Sequence, residues 1–281
     1  MRSPSVLDET PAYAVVFKPP RVHTVPLKRD AGGAGHEPSL LDWCGNLFPQ
    51  VLTVQGKHPW EGGIVHRLDY ETQGLVLVAK TQTALHVLLA QQEEGYIIKE
   101  YGALTTKREG LLPGFPQTFS GGLDSSIIES GFRPYGPGRK AVRPVVFPVW
   151  DGSNFLKKQG KFKKTSALDQ GRPYVTEIIE SHRQFPLYPV IHKDASIKGA
   201  YFRLRIKRGF RHQIRCHLAW IGYPILNDTL YGGHTIPFQT SCSHRVYLEE
   251  MEFPVLGLMA EGIRFYDPIS AEPRHYTIQR L

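Results

Sequence analysis

The sequence predicts an α+β protein built around a mixed β-sheet. Three observations carry that expectation. Short apolar runs of strand length recur along the chain, and many follow one another at hairpin-like spacing. A few capped, amphipathic stretches of helix length are interleaved with them. Neither an internal repeat nor an alternating βαβ pattern is present.

AYAVVFKPP reads as a strand stopped by the pair Pro19–Pro20. SLLDWCGNLFP reads as a helix with Ser39 as its N-cap and Gly/Pro punctuation at its end. Leu75 to Ala79 reads as a buried strand, with Gly62 to Val65 leading in from the other side of a turn. TQTALHVLLAQQEEG follows as a helix capped by Thr81 or Thr83. Its apolar stripe is Ala84, Leu85, Leu88 and Leu89, and Gly95 ends it. YIIKEYGALT continues as a strand, with Ile97, Lys99, Tyr101 and Ala103 on one face. Residues 113 to 138 are rich in Gly and Pro and lack periodicity, which predicts a loop-rich excursion before RKAVRPVVF. AYFRLRIK alternates cleanly and places Ala200, Phe202, Leu204 and Ile206 on one side. RGFRHQIRCHLAWIG then turns from strand to helix, with Ile214, Leu218 and Ile221 buried and Gly222 as the stop. Arg211, His212 and Arg215 fall near the first turn of that helix, where backbone N–H groups favour an anion. RVYLEEMEF, IRFYD and RHYTIQRL supply three further strand candidates.

The bulk numbers set limits on function. The 281 residues are 41% apolar and 21% charged, a globular composition compatible with one large domain spanning 1–281. That domain would carry loop-rich insertions at about 107–144 and 151–172. No run reaches the roughly 18 apolar residues of a membrane span, and no signal-peptide pattern opens the sequence. Three scattered cysteines, Cys44, Cys216 and Cys242, do not make a disulfide framework, so the cytoplasm is the expected compartment and a monomer the expected state. The net charge of +8 favours an anionic partner. Five lysines crowd into KKQGKFKK (Lys157, Lys158, Lys161, Lys163 and Lys164), a diffuse positive surface suited to phosphates. His212, Cys216, His217, Cys242 and His244 lack compact ligand spacing, so no metal is expected.

One stretch, GGIVHRLDYETQGLVLVAK, sets His66, Arg67 and Asp69 between two apolar segments. An arginine beside a carboxylate there is either a turn-shaping ion pair or a nucleophile at the rim of a cleft. In order along the chain stand FKPPRVHTVP, GGIVHRLDYETQGLVLVAKT, IKEYGAL, RKAV, GRPYVTEIIE and GFRHQIRCHLAWIGYPILNDTLYG. These resemble the motifs of the RluA-type RNA pseudouridine synthases. The second is similar to that family's H-R-L-D-x-x-T-x-G block, and the last to its G-R-T-H-Q-I-R-x-H-L and G-H-P-I-x-G-D-x-L-Y-G blocks. The resemblance covers the chain from about Ala12 to its C-terminal strands.

The resemblance implies a mostly antiparallel central sheet with flanking helices and a central catalytic cleft. It also implies a reaction, the isomerisation of uridine to pseudouridine in a ribosomal or transfer RNA stem-loop, which needs no cofactor. Asp69 matches the family's catalytic aspartate, and Arg215 matches the arginine that pairs with it. Tyr101 matches the tyrosine that stacks on the target base and is placed to help remove its C5 proton. Arg67 matches the arginine that fills the gap left by a base turned out of its stack. His66, Arg211, His212 and Gln213 are the remaining expected RNA contacts. Departures are few: Arg21 stands for the glycine after K-P-P, Asn227 for the glycine before Asp228, and Phe210-Arg211 for Arg-Thr. The chain also leaves no room for the small N-terminal RNA-binding domain of some relatives. The alternative reading is an RNA-binding or ribosome-assembly protein that keeps the fold with little activity. Glu71, two residues after Asp69, invites a more distant glycosidase reading but is expected to support the turn.

Overall fold

A computed structural model describes residues 3–27, 37–117, 126–146, 172–186, 198–235 and 255–278, with the backbone alone at 183–186 and 198. Ten strands form one mixed, mostly antiparallel sheet flanked by helices, as expected. The strands are β1 (Ser5–Glu9), β2 (Tyr13–Lys18), β3 (Gln73–Ala79), β4 (Ile98–Thr106), β5 (Ile127–Tyr135), β6 (Ala141–Val145), β7 (Tyr174–Pro186), β8 (Lys198–Ile206), β9 (Leu258–Tyr266) and β10 (Pro273–Thr277). Their spatial order is β1-β2-β3-β9-β4-β8-β7-β5-β6, with β10 also paired to β9. Among the described strands only β3 and β9 run parallel, and they share just two register pairs, Gln73 with Met259 and Gly74 with Ala260.

β2 and β3 are buried on both faces, which is why they read as near-continuous apolar runs. Ala14, Val16, Val76 and Val78 pack with Leu40, Leu41 and Cys44 of α1 (Leu40–Leu47) and with Ile214 and Leu218 of α3 (Gln213–Trp220). Tyr13, Val15, Leu75 and Leu77 face the other way, onto Ala84, Leu85 and Leu88 of α2 (Gln82–Glu94). Each helix start is chemically specified. Ser39 and Asp42 form a reciprocal capping box on α1, and the Thr81 hydroxyl accepts from Ala84 N–H on α2. Gly95 closes α2 in the left-handed region at φ 81°. No helix among the described residues is long and apolar enough to cross a membrane.

The Gly/Pro-rich stretch expected to be a loop excursion instead holds β5 and, after a 3-10 turn at Pro137–Arg139, β6. Prolines hid this hairpin. Pro134 lies opposite Val142, and Pro144 sits on β6 at the sheet's outer edge, where a missing N–H costs no ladder bond. The lysine run 157–164, the rest of the second predicted insertion up to residue 171, and RVYLEEMEF lie outside the described residues.

Candidate active site

The loop between β2 and α1 holds the Asp69 turn from both sides. The Thr24 hydroxyl donates to Leu68 O (2.9 Å) and accepts from Leu68 N–H (3.1 Å), fixing the residue before Asp69. The residue after it is fixed through its carbonyl, where Tyr70 O accepts from Arg21 N–H at 2.7 Å and from Lys18 Nζ at 3.3 Å. Thr72 N–H donates to Asp69 O and closes the turn. The entry strand presses close to β3. A Cβ on Gly63 would fall 1.9 Å from Ala79 O, so only glycine fits there. Arg21, standing where the resemblance expects glycine, adopts φ 58°, a left-handed strain borne by a side-chain-bearing residue.

The Asp69 side chain is 24% exposed and faces α3. Its Oδ2 lies 3.7 Å from Arg215 Nη1, and its Oδ1 lies 3.9 Å from His212 Nε2. Arg215 is nearly wholly buried and is shared by three carboxylates. Its Nε and Nη2 donate to Asp228 at 2.7 and 2.9 Å, and its Nη1 donates to Glu71 at 3.2 Å. Burial pushes the Asp69 carboxyl up to about 6, with Glu71 and Asp228 adding to the rise and Arg215 and Lys18 opposing it. Asp69 is therefore mostly ionised at neutral pH, yet more basic than a solvated carboxylate.

Tyr101 lies in β4 at a bulge, where the pairing with β9 slips between Glu100 and Tyr101. Glu261 is the extra residue, and its carboxylate occupies the space a Cβ on Gly102 would need, 1.9 Å away. Burial, helped by the charge on Asp69, pushes the Tyr101 phenol well above its ordinary range. Tyr101 is thus held as a neutral phenol.

The other expected contacts divide. Arg67 is 59% exposed on the same turn and pairs with Glu61 at 3.3 Å, placed to reach outward. His66 is buried, and its Nε2 accepts from Leu77 N–H, so its ring is turned into the core. Burial, with Lys99 nearby, lowers its pKa to about 3. Gln213 also turns inward: its amide donates to Val175 O and Thr176 Oγ1, and its carbonyl accepts from Phe210 N–H. It is occupied in joining α3 to β7. Arg211 and His212 precede α3, not in its first turn, and His212 holds φ 56°. Arg211 Nη2 donates to Arg139 O and Ala141 O, tying the β5–β6 hairpin to the site. Phe210, the residue shifted into the usual arginine position, stacks on Phe132 at 5.0 Å and also packs on Tyr174.

Two site residues escaped the sequence reading. Lys18 is fully buried at the end of β2, and its ammonium donates to Pro19 O, Val22 O and Tyr70 O. Burial lowers its pKa to about 7, against the pull of Asp69 and Glu71. Its signal was a lysine ending an apolar strand ahead of two prolines. Asp228 is the other, in the N-D-T-L-Y-G segment after α3, and it carries the firmest bonds to Arg215. Among the described residues no cluster of His, Cys, Asp and Glu could hold a metal ion.

One carboxylate, raised in pKa, flanked by a guanidinium and near a buried aromatic ring, is the arrangement of carboxylate-centred enzymes. Comparison with known proteins narrows this. A model of RNA pseudouridylate synthases matches residues 12–220, and the chain belongs to that family. An uncharacterized RNA pseudouridine synthase of Chlorobaculum parvum is 30% identical over 261 residues, covering 89% of this chain and 66% of that protein. The ribosomal large subunit pseudouridine synthase D of Escherichia coli K12 is 28% identical over 241 residues, covering 85% of this chain and 57% of that protein. The chain thus spans less than two thirds of the length of either relative. Human RNA pseudouridylate synthase domain containing 1 shares the fold with a TM-score of 0.55 at 18% identity, covering 99% of this chain and 83% of that one.

Proposed function

We propose that this protein is an RluA-type synthase that isomerises a uridine in structured RNA to pseudouridine. The observation that carries this is the Asp69 carboxylate, raised to about 6 and set between Arg215 and His212 at one cleft. Asp69 attacks the flipped nucleotide at base C6 or sugar C1′ as a covalent nucleophile. The N1–C1′ bond breaks, the uracil turns, a C5–C1′ bond forms, and the bond to Asp69 is broken to return its carboxylate. The proton leaves C5 and N1 gains one, so the product has the mass of the substrate and no redox partner is needed. Tyr101 stacks on the base in the cleft. Arg67, exposed on the same turn, enters the vacated stack, where a planar guanidinium both stacks and faces phosphates.

The name of the E. coli relative points to RNA of the large ribosomal subunit as substrate. The test uses unmodified ribosomal and transfer RNA transcripts carrying [5-³H]uridine. Isomerisation releases tritium in step with pseudouridine at a fixed position. Tight RNA binding with no release from either transcript class overturns the reading in favour of a binding or assembly protein.

A further inference from the structure

Three atoms behind Asp69 form a chain whose hydrogens can be placed. Val142 N–H donates to the Tyr231 phenol oxygen at 2.8 Å. The Tyr231 oxygen also lies 3.2 Å from His212 Nδ1. The phenol has one proton to give, and giving it to the imidazole Nδ1 uses both its donor and, through Val142 N–H, its acceptor. Nδ1 then carries no hydrogen, and a neutral His212 must carry its hydrogen on Nε2. That nitrogen is the one 3.9 Å from Asp69 Oδ1. Arg215 stands on the other oxygen, Oδ2. The left-handed backbone of His212 serves this aim: it turns the ring toward Asp69 and Tyr231, and no side-chain cap bond to α3 competes for it.

We propose that Tyr231 and His212 form a tautomer-fixing relay that gives the Asp69 carboxylate a neutral hydrogen-bond donor on Oδ1. His212 is a positioning residue acting through Asp69, and the proposal rests on the reading of Asp69 as the nucleophile. The 3.9 Å gap is longer than a hydrogen bond and closes by a small turn of the carboxylate when substrate fills the cleft, as such contacts do between free and bound enzymes. Neutrality matters to the function. A cationic imidazole would draw the carboxylate into an ion pair, whereas a neutral N–H orients one oxygen and leaves it nucleophilic. Burial, with Arg215 and Arg211 adding to it, lowers the His212 pKa to about 4, so the ring is neutral throughout the range in which Asp69 is ionised.

The charged groups facing this pair are Arg215 from α3, Asp228 from the loop after it, Glu71 on the Asp69 turn, Lys18 from the end of β2, and Arg211 beside His212. Tyr101 faces Asp69 from β4. None of these is altered by the test. It compares His212→Gln, whose amide N–H reaches as far as Nε2, with His212→Asn, which suits a left-handed backbone but ends one bond short. Tyr231→Phe removes the phenol proton without touching His212. The first readout needs no RNA: ¹⁵N NMR of the His212 ring for its tautomer, and ¹³C NMR of the Asp69 carboxyl for its midpoint. The relay requires the Nε2–H form in the native protein and a mixture of tautomers in Tyr231→Phe. It also requires an Asp69 midpoint higher in His212→Asn by about half a unit, with His212→Gln close to native. A native Nδ1–H tautomer, or an equal midpoint in the Asn and Gln variants, overturns it. The second readout is single-turnover tritium release from the large-subunit RNA transcript, where the acid limb should move with the midpoint and His212→Gln should recover most of the rate. If the NMR results hold and no variant or native protein releases tritium, the relay stands and the assigned reaction fails.

Discussion

Arg215 grips Asp228, not Asp69. Two bonds of 2.7 and 2.9 Å join the guanidinium to Asp228, while the nearest Asp69 oxygen lies 3.7 Å away. The resemblance led to an expected Asp69–Arg215 pair; the structure makes that pair the looser arm of a guanidinium anchored elsewhere. Such an anchor suits a nucleophile, because a carboxylate locked in a bidentate pair would have to break it before attacking. Asp228 is also held by Leu230 N–H and Tyr231 N–H, so it organises the whole segment after α3.

Removing either partner of this anchor leaves buried charge uncompensated. Arg215→Met strands three carboxylates, and Asp228→Asn halves the hold on the guanidinium. Arg215→Met is expected to lose about 3–5 kcal/mol of stability. It should also fail on a short RNA whose target uridine is already unstacked. Asp228→Asn should lose less stability but slow turnover at least tenfold, because Nη1 is no longer aimed. Urea denaturation and single-turnover rates measure both. Wild-type turnover by Asp228→Asn would show that the anchor does not position Arg215.

Asp69→Asn should abolish product while leaving RNA affinity close to native. It should also stabilise the fold. The folded carboxyl pKa of about 6 lies above the 3.8 of a solvated aspartate, so the folded state binds the extra proton between those limits. Native stability therefore falls as pH rises from about 4 to 6, by about 2–3 kcal/mol in all. The amide escapes that loss. Its melting temperature should exceed the native one at pH 7.5 and converge on it near pH 4. A gap independent of pH would mean that Asp69 is not held in its raised state.

Arg67 fails differently. It is exposed and pairs with Glu61, so Arg67→Ala should change stability by less than about 1 kcal/mol. Its loss should slow reaction on a folded stem-loop and be largely recovered on an unstructured RNA with the same target. Equal impairment on both substrates would remove the gap-filling role.

Lys18→Met tests the support beneath the site. Three carbonyls, on Pro19, Val22 and Tyr70, lose their shared donor. Tyr70 O keeps the Arg21 N–H, while Pro19 O and Val22 O lose the lysine, and a buried acceptor left unpaired costs about 1–3 kcal/mol. Hydrogen exchange at Arg21, whose N–H is bound to Tyr70 O, should accelerate as the turn loosens. Unchanged exchange there would confine Lys18 to its own loop.

Much of this architecture is written in local pattern, and the exceptions share a cause. β2, β3, α1, α2, β4 and β8 are legible because their apolar periods and caps point one way. β5 and β6 are not, because Gly131, Pro134 and Pro144 are acceptable only near a sheet edge, and edge position is a tertiary fact. β1 carries an exposed pattern with no core face to betray it. At the site, Asp69, Tyr101 and Arg215 could be placed by motif. Asp228 could not, since its role depends on the loop after α3 folding back against that helix. The inward bonds of Gln213 and His66 were not legible for the converse reason: polar residues beside a functional motif look outward in sequence, and these two look inward.

The position of β9 has a consequence for how the protein is made. β9 lies between β3 and β4, yet Thr106 at the end of β4 is synthesised long before Leu258 at the start of β9. At ribosomal speeds of about 5–20 residues per second, the gap lasts about 8–30 s. Throughout that interval the facing edges of β3 and β4 stay unpaired, and the other edge of β4 waits for β8 as well, the state most exposed to wrong partners. Asp69 and Tyr101 sit on opposite sides of the missing strand. A nascent chain that has not reached Leu258 therefore holds both residues on separate edges, and the site is assembled only once β9 has emerged and closed the sheet.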